Sequence, residues 1–270
     1  MTATLHGIDF SGARQAGHGI WLAEATVDGD SLRVESCASA ADRFGVAERA
    51  PCLGRLCAFL RDASVVGLDV SFGVPAPVHG RDTWEDSLEW VATAATDVDG
   101  FEEACVSRAE QTGSDRTYLL RETDGPVGAQ SPYHWLVASQ TFHGIRDVLA
   151  PLARTDDVCV RPMQSPADAT PDATQLCEVY PAATLATCSL PAREYKDDDG
   201  PARERREEIV DGLEAATAIE FAADVRGQLI DDAGGDALDA VVAALATHRA
   251  READFEPDRA YDPVEGHIYV

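Results

Sequence analysis

The sequence predicts a mixed α/β domain, and three observations carry that prediction. The first 40 residues read as three short strands, the last two joined by an Asp-Gly turn. A near-continuously apolar run, VVGLDV, has the pattern of a central strand buried on both faces. Further strands then alternate with helical stretches, and a long Ala-rich helix comes late, at residues 231–250. With 270 residues, the chain is long enough to bury a sizeable core.

Taken in order, LHGIDF is the first strand, HGIWLAEATV the second and LRVESCASA the third, with VDGDS as the turn that makes the last two antiparallel neighbours. Residues 46–61 place Leu53, Leu56, Cys57 and Leu60 at helical spacing. The fourth strand lies in ASVVGLDV and is stopped by GVPAP. Trp84, Leu88 and Val91 mark a helix, the polar stretch 107–132 reads as loop, and 134–152 reads as a helix closed by Pro151. DVCVRPM is a short edge strand and TQLCEVY the fifth main strand. PAATLATCSL follows as a short helix with Pro181 in its first turn. ARERREEIVDGLEAATA is an exposed amphipathic helix, and EGHIYV a closing strand or tail. A single domain over 1–270, with an insertion at about 76–158 after the fourth strand, accounts for this order.

Charge narrows the classes. The net charge is −26, from 48 acidic against 22 basic residues, and Lys196 is the one lysine. Acid-rich, lysine-poor composition along the whole chain suits a halophilic protein working in molar salt. There the Debye length is about 3 Å and self-repulsion is screened. In dilute buffer the same charge would argue against a polyanionic substrate; at molar salt that objection weakens. No apolar run approaches the roughly 20 residues of a membrane helix. The first residues lack the basic and apolar regions of a signal peptide, so the expectation is a cytoplasmic protein without membrane partners. Seven scattered cysteines without a CxxC read as reduced thiols. Neither a G-x-S-x-G elbow nor a P-loop occurs.

The chemistry is in the carboxylates. Asp9 ends the first strand, Asp69 sits in the fourth, and Asp236 and Asp239 stand one turn apart at the head of the Ala-rich helix. Each has a local explanation: Asp236 and Asp239 as N-terminal caps, and Asp9 and Asp69 as turn formers bonding near Ser11 and Ser71. Together they have another. Strand ends meeting a helix start would gather four oxygen ligands suited to Mg²⁺ or Mn²⁺. In such a site Asp9 bridges two ions, Asp69 and Asp239 each hold one, and Asp236 assists or positions water. Two ions about 4 Å apart activate water and stabilise the leaving oxygen in phosphodiester cleavage. Glu178 in the fifth strand is a further candidate ligand, or else the partner of an arginine. Ser11, Ser71, Arg108 and Lys196 are candidate contacts for a nucleic-acid or nucleotide substrate.

The succession GIDFSGA, SPYHWLVASQTFHGIRDVL, EVYPAAT with a following YK, GDALDAVVAAL and EGHIY resembles the domain of unknown function 429 family over nearly the whole chain. Those proteins are described as predicted nucleases of the RNase H-like superfamily. The resemblance implies an RNase H-like fold: a mixed five-stranded sheet, order 3-2-1-4-5, with helices on both faces. It also implies a metal site at Asp9, Asp69, Asp236 and Asp239, and a metal-dependent nuclease. Two other readings stay open. One is an actin-like nucleotide-binding phosphotransferase, with GIDFSGAR and GLDVSFG as phosphate turns. The other is a non-catalytic binding module of the same fold.

Overall fold

The computed structural model describes residues 3–29 and 31–270. Strand β1 (Ala3–Asp9) lies at the middle of the sheet. It pairs antiparallel with β2 (Trp21–Asp28), which pairs antiparallel with β3 (Ser31–Ser39). Asp30, part of the stretch VDGDS expected as the turn, lies outside the described residues. On its other side β1 runs parallel to β4 (Val65–Asp69). Beyond β4 come β6 (Thr174–Val179) and the edge strand β5 (Val158–Arg161), both parallel. The full order is β5-β6-β4-β1-β2-β3-β7, with β7 (Ile219–Phe221) on the far edge and β8 (Ile268–Tyr269) on the last two residues of β6. Among the described residues the sheet thus has eight strands, beyond the five-stranded sheet that the resemblance implies: β5 and β8 fall in DVCVRPM and EGHIYV, read as an edge strand and a closing strand or tail. The added β7, of three residues, is too short for alternation to show in a sequence.

Helices cover both faces. On one, Ile8, Leu22, Leu68 and Leu176 pack with Leu53, Leu56 and Leu60 of helix Arg49–Asp62 and with Val148 and Leu149 of the insertion. On the other, Leu5, Ala25 and Val179 pack with Leu238, Val241 and Val242 of helix Asp236–Glu252 and with Ile209 and Leu213 of helix Gly200–Ala216. Burying apolar side chains on both faces of a sheet is what holds such a layered fold together.

The insertion is more helical than its composition suggests. Helix Val98–Gln111 runs into the stretch expected to be loop. Its fully buried residues are Phe101, Cys105 and Ala109, at four-residue intervals, with Val98 and Val106 half-buried beside them, and Asp97 caps it by accepting from Gly100 N at 2.9 Å. The helix expected over 134–152 begins at Ala138, contains a π-turn at Ile145–Leu149 and ends at Leu152. Pro151 stands in its final turn rather than beyond it. No helix among the described residues is long and apolar enough to cross a membrane.

Candidate carboxylate site

Two glycines set the site. Gly7 of β1 and Gly67 of β4 are register partners, and Asp9 and Asp69 are partners two residues further on. Side chains two apart on a strand share a face, so both aspartates point to the face that carries helix Asp236–Glu252. That helix lies very close. A Cβ on Gly7 would fall 2.7 Å from the carbonyl carbon of Ala243 and nearer still to Ala244 N and Ala240 O. A Cβ on Gly67 would meet Thr247 and Val179. The small residues Ala240, Ala243, Ala244 and Thr247 thus seat the helix backbone against the two central strands. Its first turn then arrives over the ends of β1 and β4.

That turn is capped, but not by the residues expected. Gly235 occupies the cap position with φ 72°, in the left-handed region where glycine is favoured. Asp232 Oδ2 accepts from Ala237 N at 2.9 Å. Asp236 and Asp239 make no capping bond, so the N-cap role assigned to Asp236 belongs to Asp232. Asp239, buried, instead accepts from the Tyr195 hydroxyl at 2.7 Å and forms an ion pair with Lys196 Nζ. Asp236 shares a side-chain hydrogen bond with Asp9. The turn former after β1 is Ser11, whose Oγ accepts from Ala13 N at 3.3 Å.

Four carboxylates and one ammonium share this edge. Burial, and next the Asp239 charge, hold the Asp9 carboxyl well above the usual carboxylate range. Burial and Asp239 do the same to Asp69, and both work against the pull of Lys196. Asp236 is pushed up to about 6, again first by burial and with Lys196 opposing. For Lys196, desolvation pulls its pKa down, but Asp239 and then Asp9 outweigh that and hold it above its ordinary value.

Lys196 is fixed in place from below. The buried Arg206 donates to the carbonyls of Tyr195 and Asp197, at 2.6 and 3.0 Å, and to that of Ile230 at 2.8 Å. It grips the backbone on both sides of the lysine. The stem of Lys196 and the ring of Tyr195 lie over Gly235, where a Cβ would come within 3.0 Å of each.

Glu178 lies near enough to Asp69 for its charge to help raise that carboxyl, but its own oxygens are engaged elsewhere. It is buried and bound by Arg121, Nη1 to Oε2 at 2.8 Å and Nη2 to Oε1 at 2.6 Å, and Oε2 also accepts from Phe72 N at 2.9 Å. Arg121 is held in turn by Asp124. Both Glu178 oxygens are engaged, so its expected role as a metal ligand gives way to the arginine-partner reading. Arg108 is exposed on helix Val98–Gln111 and lines neither cleft beside the carboxylates. One cleft, of about 390 Å³, is bounded by Asp69, Tyr180, Arg193, Tyr195, Lys196 and Asp239. A smaller one lies under the insertion, where Ser71, Gln140 and Tyr180 adjoin Asp69. Asp69 and Tyr180 border both. Gln140 donates to the Asp69 carbonyl and ties the insertion to the strand end.

Among the described residues, no three His, Cys, Asp or Glu side chains converge as ready-made ligands of one ion. Asp239 has its two oxygens turned to Tyr195 and Lys196.

Sequence reasoning gave no role to Tyr195, Tyr180, Arg206 or Asp232, although Tyr180 and Tyr195 lie in the motifs EVYPAAT and YK. Tyr195 also stands beside the chain's one lysine. Arg206 had none, since an arginine in a charged helix reads as solvated.

Residues 149–264 match the family model described as a protein of unknown function, DUF429. The match includes Lys196, Asp236 and Asp239 and leaves out Asp9 and Asp69, so it is narrower than the near-whole-chain resemblance read from the motifs. No curated protein and no solved structure matches.

Proposed function

We propose that this chain, whose residues 149–264 belong to the DUF429 family, is a divalent-metal-dependent phosphodiesterase of RNase H-like fold that cleaves nucleic-acid backbones. The observation that carries the reading is the juxtaposition of Asp9 and Asp69, in register on adjacent central strands, with Asp236 and Asp239 on the helix seated by Gly7 and Gly67. A carboxylate pair at the ends of parallel central strands is where open α/β sheets bind ligands. Within the larger sheet, the run β3-β2-β1-β4-β6 with its antiparallel β1–β2–β3 meander supports the RNase H-like reading.

The donor set fits Mg²⁺ or Mn²⁺. All its members are hard oxygen donors, two are buried, and one ammonium faces four acidic groups. Asp9, Asp69, Asp236 and Asp239 would hold the metal, with Asp239 staying where the helix fixes it. A bound divalent ion supplies an activated water and neutralises charge on the phosphate. The chain's own groups do the rest. Burial and their neighbours' charges hold the Asp9 and Asp236 carboxyls above their ordinary range, so a cation beside them would favour their charged forms. Gln140 fixes the Asp69 strand end, and Ser71 and Tyr180 offer hydroxyls to a substrate in the clefts.

The phosphotransferase reading is weakened by its own glycines. A Cβ on Gly12 would fall 2.8 Å from Gln140 N, and one on Gly73 would fall 3.0 Å from the Glu265 carbonyl carbon. Both turns are packed against chain rather than open to a phosphate.

The test is calorimetric titration with Mn²⁺ in about 1 M KCl, alongside cleavage of single- and double-stranded DNA and RNA. Wild type should bind and cleave. Asp9→Asn and Asp239→Asn should fold, lose metal affinity and lose turnover. Full activity in either variant would remove the proposal.

A further inference from the structure

We propose that Lys196 is a tethered cation that occupies Asp239 in place of metal and is released into the open cleft when a divalent ion loads the carboxylates. The inference rests on the metal-site reading above and names a positioning residue within it.

Three observations carry it. First, the contact is built rather than casual. Arg206, itself buried, clamps the carbonyls on both sides of Lys196, and Gly235 leaves the room in which its stem lies. Second, the ammonium takes one oxygen of Asp239 and Tyr195 takes the other. The one residue of the helix turn that is both buried and ionic therefore has no free oxygen while Lys196 is seated. Third, the exit is open. The Lys196 side chain is 47% exposed and borders the cleft, whereas Asp239 is 5% exposed. The lysine can leave and the aspartate cannot. A buried carboxylate without a cation is costly, so one positive group must replace another at Asp239, and the exchange is one for one. A lysine is suited to this because its ammonium is a compact point charge on a flexible stem, where a guanidinium would lock to the carboxylate in a fork.

Because Lys196 is the one lysine, amine chemistry reports on it directly. Reductive methylation with ¹³C-formaldehyde gives one dimethyl-lysine resonance besides that of the α-amine. In wild type, Mg²⁺ should move that resonance to the position it holds in Asp239→Asn, where the partner charge is already gone and Mg²⁺ should no longer move it. In parallel, Lys196→Met should bind Mn²⁺ about tenfold more tightly than wild type. Arg193→Met removes a charge from the same cleft without touching Asp239, and should change affinity by less than about twofold. A lysine resonance that stays put while calorimetry shows Mn²⁺ binding would overturn the exchange. So would equal affinities for Lys196→Met and wild type. Binding by Lys196→Met alone would also overturn it, since the lysine would then block the site and not yield to the ion. No binding by either protein would instead overturn the metal-site reading itself.

Discussion

Replacing Gly7 by alanine tests the packing on which the site depends. Alanine is favoured over glycine in a strand by about 0.5–1 kcal/mol, because the unfolded chain has less freedom to lose. Against that gain stands overlap with backbone: the new methyl would lie 2.7 Å from the Ala243 carbonyl carbon and nearer to two further main-chain atoms. Heavy atoms settle at about 3.5 Å, so the helix would have to withdraw by roughly 1 Å. Overpacking of this kind costs about 1–3 kcal/mol, and backbone cannot rotate away as a side chain can. We expect a net loss of about 2 kcal/mol, seen as a fall in Tm of about 4–8 °C for a chain of this size. Gly67→Ala differs, because its nearest obstacle is the Thr247 side chain, whose Oγ1 bonds the Ala243 carbonyl at 2.6 Å. Thr247→Ala should therefore rescue Gly67→Ala and leave Gly7→Ala unrescued, which thermal denaturation of the single and double variants reads directly. Displacing the first turn by 1 Å should also weaken Mn²⁺ binding. If Gly7→Ala matched wild type within about 0.5 kcal/mol, the helix would not be seated on β1 as described, and the site would lose its scaffold.

Two further outcomes follow from the electrostatics. Asp9, Asp69 and Asp236 titrate above the ordinary carboxylate range, so the metal-free folded chain binds protons that the unfolded chain has released. Their stabilising contribution is full below about pH 4 and is lost as pH rises through about 6, the Asp236 value, and on through those of Asp9 and Asp69. Urea denaturation across this range should show metal-free stability falling with pH, with a shallower fall in Asp236→Asn; equal slopes would remove the coupling. The cap and the site should also respond with opposite sign near neutral pH. Asp232→Ala should cost about 1 kcal/mol by freeing Ala237 N, whereas Asp236→Asn should stabilise the metal-free protein by removing a repelled charge. A loss of equal size in both would return Asp236 to the role of a cap.

How much of this was legible differs from element to element. VVGLDV and LHGIDF announced themselves because central strands are apolar on both faces, and Asp9 and Asp69 stood out as charges in such runs. The late helix showed its Ala face, which does meet the strands closely. What could not be read was the partner of each charge. Asp232 precedes two glycines and looked no different from its neighbour Asp231, yet the reversal at Gly235 brings it back onto Ala237 N. Glu178 and Arg121 are separated by 57 positions, and only the fold brings them together. Helix Val98–Gln111 was hidden by the many exposed polar residues along it, such as Glu103, Ser107, Arg108 and Glu110.

The helix Asp236–Glu252 is buried along most of its length, from Ala237 through His248 without a break. Its amides have no route to solvent short of unfolding the sheet beneath them, so hydrogen exchange there should be among the slowest in the protein. Asp239 thus sits on the part of the molecule least able to adjust. The walls of the clefts come instead from the stretches around Ala192–Lys196 and Ala129–Thr141, which are partly exposed and outside the sheet. Variation is tolerated where backbone is accessible and refused where it is packed. A lineage can therefore reshape what enters the clefts by exchanging residues of those two stretches other than Gln140, Tyr195 and Lys196, while the acidic edge stays as it is.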